Sequence, residues 1–181
     1  RLEAGDSGGF WLSETPDCWS ASWDTRCIRV VNWARFQDLS TGTDIFFLNT
    51  HLDHISEAAR QGGARLILEK LSELAPTGLP CVLTADFNCN PDSQVYQLFA
   101  EAGFTDAHIA VGNPPANTFH GFAGDQFVNR YPGTEARIDW ILVRGPLRVR
   151  TCSILRDSDP PLYPSDHYPV LAELEIETEQ G

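Results

Sequence analysis

The chain has 181 residues, 42% of them apolar and 21% charged, which suits a single globular domain with room for a sizeable core. Its formal net charge is −12, from 13 Lys and Arg against 25 Asp and Glu, and this argues against tight, non-specific binding of duplex nucleic acid by counterion release. No apolar run is long enough to cross a bilayer.

Taken in chain order, Phe10–Ser13 reads as a short strand ended by Pro16. Ile28–Asp38 is rich in β-branched and aromatic residues and predicts a second strand, turned by Ser40–Asp44 into the apolar run Ile45–Leu48 as a hairpin. Ser56 is placed to cap a helix whose apolar face is Ala64, Ile67, Leu68, Leu71 and Leu74, with Pro76 and Gly78 ending it. Cys81–Thr84 predicts a buried strand that delivers Asp86 at its end. Asp92 or Ser93 caps a second helix through Ala102, with Gly103 in the position after the cap that favours glycine. Gly112–Gly133 reads as loop, and Ile138–Val143, Leu147–Ile154 and Val170–Ile176 read as strands. Hairpins interleaved with helices predict mixed sheets covered by helices rather than purely parallel winding.

Five cysteines (Cys18, Cys27, Cys81, Cys89, Cys152), an odd number without Cys-x-x-Cys spacing, speak against a zinc site or a complete disulfide framework. Buried free thiols are expected, with a Cys18–Cys27 bridge left open should the protein be exported; the cytoplasm is the favoured compartment. Arg144, Arg148 and Arg150 form the notable basic group. The chain has no Met and no basic-apolar leader, so a start that was trimmed, processed or cut out of a longer gene is expected.

Candidate chemistry gathers at strand ends. Asp86 and Asn88, two residues apart, can accept from and donate to one water, as in-line attack on phosphorus requires. Asp139, in an otherwise apolar strand, needs a partner if buried, and His167 is the natural one. An Asp–His pair raises the imidazole pKa and fixes its orientation. Asp166 is a candidate metal ligand or water holder, and Asp86 and Asp139 extend the acidic set; one or two carboxylates suffice for Mg²⁺. His51 follows a strand and is a candidate catalytic and substrate-binding residue, whereas His54 reads as an ordinary loop residue. Arg60, on the first turn of the helix, faces either cleft or solvent and is a candidate substrate ligand beside Asn88 and His51. No Gly-x-Ser-x-Gly elbow supports a serine nucleophile.

Five segments carry a resemblance: Phe10–Pro16, Asn49–His54, Ala85–Asn88, Arg137–Trp140 and Tyr163–Pro169. In this order the chain resembles the endonuclease/exonuclease/phosphatase family, and most closely a bacterial branch akin to deadenylase and nocturnin-type enzymes. The resemblance implies a four-layer αββα sandwich, two mixed sheets between helices, with the site at one end. It implies hydrolysis of a phosphoester dependent on Mg²⁺ or Mn²⁺. Asp86 and Asn88 would activate and orient water, His167 supported by Asp139 would stabilise the phosphoryl group, His51 would contact it, and Asp166 would assist at the metal. Substrates in view are RNA, single-stranded nucleic acid or a small phosphodiester, with no membrane span and the oligomeric state open.

The family also has an Asn after its first strand and a metal-binding Glu after its second, and neither has a counterpart here. Residues 1–181 are therefore expected to be one domain lacking its N-terminal part, with weak Mg²⁺ binding, low activity and exposed apolar surface. The alternative from another class is a non-catalytic binding or scaffold module that retains the fold.

Overall fold

The computed structural model describes residues 1–129, 136–159 and 162–177. Six strands form one sheet in the order β1-β2-β3-β4-β6-β5, and two more form a separate hairpin. They are β1 (Leu2–Trp11), β2 (Val30–Asp38), β3 (Asp44–His51), β4 (Cys81–Asp86), β5 (Thr105–Asp106) and β6 (Asp139–Arg144), with β7 (Leu147–Ile154) and β8 (Val170–Ile176) as the hairpin. Among the described residues, only β3 and β4 pair in parallel, across the helix α1 (Glu57–Leu74), and the other pairings are antiparallel. The large sheet is thus mixed, as the sequence predicts, whereas the β7–β8 sheet is antiparallel throughout.

Alternation decides which way each strand faces. Along β3, Phe46, Leu48 and Thr50 are buried while Phe47 is half-buried and Asn49 and His51 are exposed. The buried set joins Leu83 and Leu142 from β4 and β6 in a core with Ala64, Ile67 and Leu71 of α1 and Val95 and Phe99 of α2 (Gln94–Glu101). Both helices begin at serine caps. Ser56 Oγ accepts from the Ala59 amide and Ser93 Oγ from the Tyr96 amide, satisfying donors that have no partner within the helix. Gly103 follows α2 with φ 83°, a conformation that costs a residue with a Cβ far more. Gly62 lies inside α1 for a different reason: a Cβ there would meet the Trp23 ring at 2.5 Å, so the bare backbone admits the indole. The opposite face of the large sheet looks across an apolar groove, lined by Phe36, Phe47 and Val82 on one side and Leu147, Leu174 and Ile176 on the other.

Several boundaries differ from expectation. The first strand runs over Leu2–Trp11 rather than Phe10–Ser13, because an exposed edge strand is held by its ladder to β2 and needs no apolar alternation. β3 and β4 extend to His51 and Asp86, and Asp139 opens β6 instead of lying inside it. The two-residue β5 and the short α3 (Ala107–Ala110) have too little pattern to be seen in sequence. The expected loop Gly112–Gly133 is irregular through 129 except for a 3-10 turn at Gly124–Gln126, and its last residues lie outside the described ones. Among the cysteines, Cys81 and Cys152 are buried, whereas Cys18 and Cys27 are exposed free thiols, contrary to the expectation of uniform burial.

Candidate active site

Sheet register brings three candidate residues into a row. β3 and β4 are parallel, so both deliver their last residues to the same edge, and His51 pairs with Asp86. β6 runs the other way and therefore begins at that edge, where Asp139 pairs with Asp86. The result is His51–Asp86–Asp139 across three adjacent strands. His51 Nε2 lies 3.1 Å from Asp86 Oδ2.

The fourth member comes from a loop. His167 Nδ1 is 2.8 Å from Asp139 Oδ2, and its Nε2 is 3.9 Å from Asp86 Oδ2. The segment is held in place by its neighbours. Thr118 Oγ1 accepts from the amides of Ile138 and Asp139, and Thr118 carbonyl accepts from the Tyr168 amide at 2.7 Å. Asp166 carbonyl accepts from the amides of His120 and Gly121. Phe119 meets the His167 ring edge-on at 5.1 Å. Thr118 thus ties the start of β6 to the His167 segment, a role with no signature in the sequence.

After β4 the backbone turns sharply. Asn88 has φ 51°, in the left-handed region, so the strand does not continue through it. Its amide donates to Asp86 Oδ1 at 2.9 Å, and its side-chain Nδ2 donates to Leu52 carbonyl at 3.0 Å. Phe87 between them is fully buried and stacks on Trp140 at 4.2 Å, which anchors the turn. Asp53 secures the far side: its carboxylate accepts from Thr25 Oγ1 and from the amides of Arg26, Cys27, Ile55 and Ser56. Burial alone would raise its pKa, but these bonds, led by the Ser56 amide, hold it well below the usual carboxylate range.

The electrostatics follow from this packing. Burial pushes the Asp86 pKa up, and the neighbouring Asp139 charge adds to the rise, against the Asn88 amide that opposes it. Burial lowers the His51 pKa, opposed by Asp86 and reinforced by the Arg29 cation. The hydrogen bond to Asp139 raises the His167 pKa, against the effect of burial. Asp86, Asp139 and His167 present ligand atoms within 4.8 Å of one another, an arrangement able to hold a cation. Two adjacent carboxylates, one of them disfavoured as an anion by burial, are the donor set that a divalent cation would relieve.

Two candidates stand apart from this group. Arg60 Nη1 donates to Asp53 carbonyl at 2.9 Å. The Asp166 side chain lies outside the three-residue group, with Ser165 Oγ at 3.5 Å from its Oδ1. Two residues acquire a place that sequence did not suggest. Arg29, just before β2, puts Nη2 3.3 Å from His54 Nδ1, and His54 lines a cleft that begins at Asn88.

The Endonuclease/Exonuclease/phosphatase family profile matches residues 8–167. The chain belongs to this family. Among solved structures, it is similar to a mannosyl-6-phosphatase of Bacteroides thetaiotaomicron, with 34% identity and a TM-score of 0.84 over 97% of this chain and 67% of that one. An endonuclease/exonuclease/phosphatase from Bacteroides vulgatus is 37% identical, with a TM-score of 0.84 and the same coverage, 97% and 67%. The catalytic domain of human nocturnin, 20% identical with a TM-score of 0.73, shares the fold over 97% of this chain and 60% of its own. No curated protein matches the chain. Membership makes the chain part of a family of phosphoester hydrolases with the deoxyribonuclease-I-like fold.

Proposed function

We propose that the protein carrying this segment is a divalent-metal-dependent hydrolase of phosphate esters, with small hydroxylated molecules such as hexose phosphates as its preferred substrates. The observation that supports it most is Asp86, set between two histidines and beside a second carboxylate at the joint edge of three strands. A bound Mg²⁺ or Mn²⁺, held by Asp86 with Asp139 beside it and Asp166 as a further candidate, would supply positive charge to the phosphoryl oxygens.

The residues divide the remaining work. Asp86 as carboxylate accepts a proton from the attacking water, and Asn88 fixes the turn that aims it. The water oxygen forms a bond to phosphorus while the bond to the leaving alcohol breaks, and the alkoxide takes a proton from solvent. Asp139, which accepts from Nδ1 and raises the His167 pKa, favours the imidazolium that would donate from Nε2 to a phosphoryl oxygen, and His51 would contact the group from the other side.

Substrate size is argued from charge and likeness. Arg148 and Arg150 pair with Glu177 and Glu175, and Arg144 lies over the Phe104 ring at 5.0 Å. The basic group visible in sequence is thus engaged within the protein, leaving RNA or single-stranded nucleic acid without it as a track. The similar Bacteroides thetaiotaomicron protein is a mannosyl-6-phosphatase.

The test is phosphate release from hexose 6-phosphates and from oligonucleotides, with Mg²⁺ or Mn²⁺ and with EDTA. Metal-dependent release from the hexose phosphates, falling about 10³-fold in His167→Ala with an unchanged melting temperature, is expected. Release that ignores EDTA, or survives His167→Ala, would overturn the reading.

A further inference from the structure

Next to the strand-end row, a cleft of about 840 Å³ opens from Asn88, a volume within the range of small-molecule sites. Its lining is both polar and apolar. Polar His54, Asn88, Asn90, His120 and Asn129 line it together with apolar Phe119, Phe127 and Val128. Among the described residues, no Asp, Glu, Lys or Arg side chain lines it. A nucleic-acid strand would bring further phosphates to either side of the scissile bond, and those need cations. An uncharged polyol brings hydroxyls for the amides and a C–H face for the aromatic rings.

His54 is prepared for such a ligand by Arg29. A guanidinium only donates, so at 3.3 Å the His54 Nδ1 is the acceptor, and the neutral ring carries its proton on Nε2. The ring is therefore held as an Nε2–H donor on the cleft wall. Among the described residues, no carboxylate pairs with Arg29, so its guanidinium is free to serve the histidine.

Resting on the phosphoester-hydrolase reading, we propose that this cleft is the subsite for the leaving alcohol. The alcohol is an uncharged, hydroxyl-bearing molecule of about hexose size, and His54, positioned by Arg29, is a specificity-determining donor to it. This assigns a role to two residues outside the catalytic row, and it favours neutral alcohols over nucleotides.

Two measurements test it. In the first, methyl α-mannoside is titrated into the metal-free protein while side-chain amide and imidazole resonances are followed. Shifts at Asn88, Asn90 and His54, lost in His54→Phe, are expected. Absence of shifts there, or stronger shifts with a dinucleotide, would overturn the proposal. In the second, kcat/KM for a hexose 6-phosphate is divided by that for phenyl phosphate. The ratio should fall about tenfold in His54→Phe, through KM, and less in Arg29→Met. It should recover in His54→Gln, which restores an N–H. An unchanged ratio in His54→Phe overturns the proposal. Were no phosphoester hydrolysed with any divalent ion, the catalytic reading would fail, and the hexoside titration alone would decide the cleft.

Discussion

On the helix-covered face of the large sheet, Phe46, Leu48, Leu83 and Leu142 are at most 1% exposed, whereas their neighbours on the opposite face, Phe47, Asn49, Thr84 and Ile141, stay half-buried or open. The same three strands build both faces, and the pleat sends alternate residues to each. The closed face is filled by aliphatic and aromatic side chains that meet helices. The other opens only toward the strand ends, from half-buried Phe47 through Asn49 to His51 along β3, and from buried Val82 through Thr84 to Asp86 along β4. Stability and chemistry are thus carried by interleaved positions one residue apart, and substitutions on the two faces should fail in different ways.

The comparison is broken most directly on the closed face. Leu83→Ala leaves a void among packed side chains and should cost about 3 kcal/mol of stability. Denaturant unfolding would measure it; a loss below about 1 kcal/mol would mean the helix-covered face is not the principal core.

Asp139→Asn probes the open face. His167 has a raised pKa, so activity that needs its cation is complete at lower pH and is lost as pH rises through that raised value. Removing the Asp139 carboxylate removes the main cause, so the alkaline limb of the pH–rate profile should move to lower pH. Without metal, burial raises the Asp86 pKa, so lowering pH should weaken its hold on Mg²⁺ or Mn²⁺ as well as its action as a base. A limb that stays put in Asp139→Asn would detach His167 from it.

Asn49→Ala should be the mildest change. Its bond to Thr84 Oγ1 at 2.8 Å is exposed, and its loss should cost no more than about 0.5 kcal/mol by thermal unfolding. A large loss would show that this part of the open face bears load like the other.

Much of this was legible in the sequence. β7 and β8 have their expected bounds, and the caps Ser56 and Ser93 and the Gly103 turn stand where their residue types suggest. These are local preferences, expressed over a few residues. Four of the candidate residues, His51, Asp86, Asp139 and His167, come together in space, and the Asp139–His167 contact is the one their chemistry suggested. Leu2–Gly9 was not legible as strand, because an edge strand takes its conformation from its partner.

By itself, then, the sequence determined the periodic elements, the caps and the identity of the charged groups at strand ends, since these depend on short-range sterics and on residue chemistry. Only the tertiary structure decided that His51, Asp86 and Asp139 stand side by side, because strand order and register are set by long-range pairing. It likewise directed Arg60 to a backbone carbonyl and turned a loop histidine, His54, toward a cleft under the hold of Arg29. Such contacts join residues distant in the chain, and no local pattern announces them.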